Sequence, residues 1–114
     1  MPTSNQIGDA GEKLAIEFLQ KKGYTILFSN WRSKRAEIDI IAQYQRVVIF
    51  VEVKKRSSSL FGTPESFVDK HKIKKMREAA DAYIELYDWK GELRFDIIAI
   101  EKNNMITHFE DAFY

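Results

Sequence analysis

The chain reads as an α/β domain in which a small mixed sheet carries helices on its faces. Three observations predict this: a helical apolar period near the start, two apolar runs separated by four polar residues, and an apolar strand after a second helical segment. The element order is αβββαβ, with a short final strand after it, αβββαβ(β). One hundred and fourteen residues with 45% apolar content suit a single domain over 1–114 with a modest core, and leave no room for two.

From Asp9 to Lys22, Gly11, Leu14, Ala15, Phe18 and Leu19 recur at spacings of three and four, the period of an amphipathic helix. Gly23 stops it. Tyr24 to Phe28 is β-branched and aromatic, an outer strand, and Ser29 to Lys34 reads as a polar turn containing Trp31. Glu37 to Ala42 and Val47 to Lys54 follow as a hairpin closed by Gln43 to Arg46. Lys55 to Gly62, with three consecutive serines, reads as a loop. Thr63 before Pro64 signals a helix start, an oxygen cap followed by a residue whose missing N–H is not needed in the first turn. Phe67, Met76, Ala80, Tyr83, Ile84 and Tyr87 form its buried stripe, and Lys90 with Gly91 its end. Leu93 to Ile100 is nearly all apolar and suits a central strand. Asn103 and Asn104 then turn the chain into a last strand, Met105 to Phe109.

Composition excludes several classes. Without cysteine there is neither a disulfide framework nor a thiolate metal site, which suits a reducing cytoplasm. No run approaches the ~20 apolar residues that cross a bilayer, and Met1 to Gln6 is too polar for a signal peptide, so the expectation is a cytosolic protein that does not enter membranes. No phosphate-cradling glycine loop, serine nucleophile elbow or dinucleotide fingerprint occurs. The net charge of +1 hides an asymmetry: residues 32 to 77 hold 12 Lys and Arg against 5 Asp and Glu, and the remainder is acidic. A basic surface of this kind attracts a polyanion, and nucleic-acid contact is the expectation.

Chemistry concentrates inside that basic segment. Strand alternation puts Glu52 and Lys54 on one side, while Val47, Ile49, Val51 and Val53 line the other. With a hairpin loop of two or four residues, paired positions sum to 91 and Asp39 lies opposite Glu52, Cβ atoms about 4.5 to 5.5 Å apart. Opposed carboxylates destabilise a sheet unless something joins them, and such a pair with open positions is how proteins hold Mg²⁺ against a phosphate. Read singly, each acid is as well explained by a structural ion pair, Glu52 with Lys54 above all. Glu12 has two readings: the partner of Asp9 in a capping box, or an acid at the edge of the helix's apolar stripe that reaches the sheet edge. Lys72 sits in early turns of the second helix, where a phosphate contact fits. Among the other cations of that helix a solvated face is the simpler reading. His71 and His108 lack a zinc spacing.

An acid on one strand followed by Glu-x-Lys at the end of the next resembles the PD-(D/E)xK nuclease superfamily. The resemblance extends along the chain: Gly11-Glu12, Gly23-Tyr24, Asn30-Trp31-Arg32, Glu37-Ile38-Asp39, Phe50 to Lys54, Phe61-Gly62 and Arg94-Phe95-Asp96 follow in an order similar to the YraN-like family of short bacterial proteins, regarded as predicted nucleases. Their core pattern is similar to that of archaeal Holliday junction resolvases. Ala36 stands where that family more often shows glycine, a change to a turn and not to the chemistry. The resemblance implies a restriction-endonuclease-like core, Asp39 and Glu52 as metal ligands, Lys54 as the catalytic lysine and Glu12 as a further acid near the metal. The expected activity is a Mg²⁺- or Mn²⁺-dependent endonuclease acting on nucleic acid, DNA ahead of RNA, with branched DNA as one substrate class. In this reading Asp39, Glu52 and the main-chain carbonyl of Val53 hold the metal, and Arg32, Lys55, Arg56 and Lys72 grip phosphates. A homodimer is common among resolvases of similar fold. Two alternatives stand beside it: a non-catalytic nucleic-acid-binding module or accessory subunit, and a protein-interaction domain in which Glu52 and Lys54 are merely paired.

Overall fold

The computed structural model describes residues 10–34, 36–55 and 69–113, and within them the chain forms an α/β structure with one five-stranded mixed sheet flanked by two helices. In chain order these are α1 (Ala10–Lys21), β1 (Thr25–Ser33), β2 (Ala36–Tyr44), β3 (Val47–Lys55), α2 (Lys70–Tyr87), β4 (Glu92–Ile100) and β5 (Ile106–Phe109). Spatial order follows chain order from β1 to β5. Antiparallel neighbours need only short turns, whereas β3 and β4 run parallel, from Val47↔Glu92 to Lys55↔Ile100, because α2 lies in the connection between them.

The hairpin register is the expected one. Tyr44 pairs with Val47 and Ile40 with Val51, so the loop is the two residues Gln45 and Arg46, with Gln45 in the left-handed region at φ 55°. β1 departs from expectation: it continues to Ser33 through the segment read as a turn, with Ser29, Trp31 and Arg32 paired to Ile40, Ile38 and Glu37. At a sheet edge polar side chains can face water; the register of β1 shifts between Ile26 and Phe28, and Asn30 takes the left-handed conformation at φ 53°. Lys55, expected as loop, is the last residue of β3.

The helix expected from Thr63 is described from Lys70, capped by Asp69, whose Oδ1 accepts from the Lys72 amide at 2.8 Å. Thr63, Pro64 and Phe67 lie outside the described residues, as does Asp9. At its other end α2 stops at Asp88 in the left-handed conformation, before Lys90 and Gly91.

Two apolar layers sandwich the sheet. Val48, Phe50, Ile38, Ile41 and Ile97 pack under Met76, Ala79, Ala80 and Tyr83 of α2. Ile49, Val51, Ile40, Ala42 and Ile98 pack under Ala15 and Leu19 of α1. β3 thus shows Phe50, and with it Glu52, to the α2 side, and Val51 to the α1 side.

Candidate metal centre

The β2–β3 ladder closes at Ile40↔Val51, one pair short of Asp39 and Glu52. Beyond it the strand backbones no longer bond each other. Asp39 Oδ2 instead accepts the amide of Val53 at 2.9 Å, which fixes its carboxylate against β3 beside Glu52. The two carboxyl groups come within hydrogen-bonding reach, so each perturbs the other. Sequence spacing therefore located the pair correctly, although a side chain and not a ladder bond holds it together.

Glu52 is buried, with 8% of its surface exposed. Burial, then the charge of Asp39, push its carboxyl from 4.5 up to about 8. Burial also raises Asp39, against the opposing pull of the Val53 amide. Lys72 of α2 brings its Nζ to 3.5 Å from Glu52 Oε1, an ion pair too long for a good hydrogen bond, and that oxygen is buried with no hydrogen-bond partner. A buried acceptor left open beside a second carboxylate is the kind of oxygen pair that a hard cation takes as ligands.

The other expected residues scatter around this centre. Lys54 is half-buried two residues beyond Glu52, hence on the same side of β3. Lys72, read as a phosphate contact, sits on the carboxylates. Arg32 is exposed and donates from Nε to Glu37 Oε2 at 2.7 Å, and Glu37 is close enough to raise Asp39. Lys55 lies across the first turn of α1, on the opposite side: a Cβ at Gly11 would stand 2.7 Å from its Cε, so any larger residue there would push the lysine stem aside. Glu12 is buried in that same turn, and among the described residues no group of three His, Cys, Asp or Glu gathers around a common point. Arg56 lies outside the described residues.

α2 concentrates charge at the site. Lys70, Lys72, Lys74, Lys75 and Arg77 fill its first half and Glu78, Asp81 and Glu85 its second. The helix dipole favours the reverse, each such charge being worth ~0.3 to 1 kcal/mol. Helix stability therefore does not account for a basic start beside Glu52.

A further buried carboxylate, in addition to Glu52 and Glu12, was not expected from the sequence. Asp96 of β4 is fully buried on the α1 side, level with Val51. Its Oδ1 accepts from Arg94 Nε at 2.9 Å and the Asp111 amide at 3.0 Å, and its Oδ2 from Arg94 Nη2 at 2.8 Å and His108 Nε2 at 2.7 Å. Lys22 Nζ donates to His108 Nδ1 at 2.8 Å, which leaves Nε2 as the protonated nitrogen facing Asp96. Arg94 also donates to the Tyr24 hydroxyl at 2.7 Å. Burial pushes Asp96 up, but the bonds from His108, Arg94 and Asp111 outweigh it and hold the carboxyl below its ordinary 3.8. An aspartate within the apolar run Phe95 to Ile100 was the available signal.

Comparison with known proteins finds relatives along the whole chain. A UPF0102 protein of Flavobacterium psychrophilum is 50% identical over 117 residues, covering all of this chain and 98% of its own length. One from Flavobacterium johnsoniae is 46% identical with the same coverage, and one from Thermodesulfovibrio yellowstonii is 43% identical over 96% of each chain. The family model described as "Uncharacterised protein family UPF0102" matches residues 11–100, a span containing Glu12, Asp39, Glu52, Lys54, Lys72 and Asp96. The chain belongs to the uncharacterised protein family UPF0102.

Proposed function

We propose that the protein is a metal-dependent endonuclease of PD-(D/E)xK type, hydrolysing phosphodiester bonds in nucleic acid, with DNA ahead of RNA and branched DNA as a substrate class. One observation carries the reading: Glu52 Oε1 is buried without a hydrogen bond beside the carboxylate of Asp39. A buried acceptor left open costs about 1 to 3 kcal/mol, a cost that ligand binding would offset. Asp39, Glu52 and the main-chain carbonyl of Val53 would hold Mg²⁺ or Mn²⁺. When bound, such an ion supplies Lewis-acid activation of the phosphate and of the attacking water.

The chain's own residues do the rest. Asp39, tied to the Val53 amide, keeps its carboxylate from turning away from Glu52. Lys54, on the Glu52 side of β3, orients the attacking water and offsets charge developing on the phosphate. The basic half of α2 draws the phosphodiester backbone towards the pair, which makes binding salt-sensitive and blind to base sequence. Specificity then comes from nucleic-acid shape.

The test is a panel of duplex, single-stranded and branched DNA and of RNA, each with Mg²⁺ or Mn²⁺, against wild type, Asp39→Asn and Lys54→Ala. Metal-dependent cleavage by wild type and its loss in both variants is the expected result. Cleavage that survives both substitutions rules the assignment out, and metal-independent binding without cleavage favours the binding-module alternative.

A further inference from the structure

We propose that Lys72 is a built-in counter-ion of the Asp39–Glu52 pair which a divalent cation displaces, and that the released ammonium then contacts a phosphate of the nucleic acid. This inference rests on the metal-centre reading of Asp39 and Glu52. Lys72 Nζ stands 3.5 Å from the buried Glu52 oxygen that lacks a hydrogen bond, and its positive charge acts on Asp39 as well. One ammonium therefore serves two acids, and it neutralises Glu52 Oε1 without bonding it.

A hard cation ligated by that oxygen sits about 2.0 to 2.6 Å from it. Two positive centres would then crowd one acceptor, and the singly charged, more weakly held one leaves. The geometry gives it a way out. Asp69 pins the Lys72 amide at 2.8 Å, so the helix start stays in place while the four-carbon stem moves. With its side chain 37% exposed, Lys72 already reaches solvent, on the side from which a polyanion meets the basic half of α2. Lysine fits this role better than arginine: a point charge on a flexible stem exchanges partners readily, whereas a guanidinium fork locks onto a carboxylate. A cation in the first turn also opposes the helix dipole, so a role at Glu52 explains its place and helix stability does not.

Three measurements on the full chain test the exchange. Mn²⁺ affinity is measured by calorimetry, without nucleic acid, for wild type, Lys72→Met, Glu52→Gln and Lys75→Met. Lys75→Met removes an equal charge one turn further along, where it pairs with Glu78 at 3.7 Å. Binding of fluorescent DNA is followed by anisotropy with and without Ca²⁺, and circular dichroism melts confirm that every variant folds. Displacement predicts that Lys72→Met tightens Mn²⁺ about five- to tenfold while Lys75→Met leaves it unchanged. Metal should strengthen DNA binding by wild type, and Lys72→Met should abolish that gain. Unchanged Mn²⁺ affinity in Lys72→Met, equal tightening in Lys75→Met, or a metal-dependent DNA gain that survives Lys72→Met overturns the inference and leaves the metal centre standing. Wild type that binds Mn²⁺ no better than Glu52→Gln overturns the metal centre and the inference together.

Discussion

Asp96 and Glu52 are buried carboxylates on neighbouring strands, β4 and β3, facing opposite sides of one sheet, and the protein treats them in opposite ways. Asp96 receives four donors on two oxygens, close to the full capacity of a carboxylate, and is held ionised. Glu52 has an oxygen with no hydrogen bond, a like charge beside it and a carboxyl raised to about 8. Saturation marks an acid that holds the fold together, tying β4 to β5 and the C-terminal turn. An open lone pair beside a second acid adds nothing to the fold, and is what the proposed ligand role of Glu52 calls for.

Replacement of each acid tests this division, and Asp96→Asn has the largest expected effect. An asparagine keeps the shape but loses the charge facing Arg94 and can no longer accept four bonds. A loss of about 3 to 5 kcal/mol is expected, read as a fall in the urea midpoint, with Mn²⁺ affinity unchanged in whatever fraction stays folded. A loss under about 1 kcal/mol would erase the contrast.

Glu52→Gln should act with the opposite sign. Because the folded carboxyl titrates near 8 and the ordinary one near 4.5, the folded state holds the extra proton between those values. Its contribution is complete below about 4.5 and disappears as pH climbs to about 8, by up to ~1.4 kcal/mol per unit. In metal-free buffer the variant should match wild type at pH 5 and exceed it by about 1 to 3 kcal/mol at pH 9. The lowered Asp96 carboxyl works the other way: its contribution is full above 3.8 and falls as pH drops through its folded value. Stability of wild type should therefore peak on the acidic side of neutral. Asp96→Asn should remove the acid limb and Glu52→Gln the alkaline one.

The contrast was half legible in the sequence, for a physical reason. Asp39 and Glu52 are joined by a hairpin, where a two-residue loop and alternating side chains fix who meets whom, so spacing alone found the pair. Asp96 shows the same local sign, a charge inside an apolar strand, yet its partners are Arg94, His108 and Asp111, and Tyr24 and Lys22 in turn bond Arg94 and His108. No local period links these, because the fold assembles them from the turn between α1 and β1, from β4 and β5, and from the turn after β5. Lys72 was legible as a cation near the site and illegible as a partner of Glu52, since its position depends on how α2 crosses the sheet. The polar second half of β1 misled because edge strands tolerate residues that elsewhere signal turns.

Tyr24→Phe gives the smallest expected effect and asks whether the Asp96 cluster is a hub with spokes or one cooperative unit. The hydroxyl accepts a single bond from Arg94 Nη2, and that guanidinium keeps both bonds to Asp96 and a charge contact with Glu110 at 3.4 Å. The ring stays stacked on Tyr44. If Asp96 alone anchors the cluster, losing one spoke costs the net value of one hydrogen bond, about 0.5 to 1.5 kcal/mol, and adds nothing further in an Asp96→Asn background beyond that same amount. If the bonds reinforce one another, the double variant falls short of the sum, because the first substitution has already loosened Arg94. Either outcome leaves Mn²⁺ affinity at Asp39 and Glu52 untouched, since Tyr24 and Asp96 lie on the α1 side of the sheet. A change in metal affinity from Tyr24→Phe would show instead that the two faces are coupled through β3 and β4, and that the saturated acid also tunes the open one.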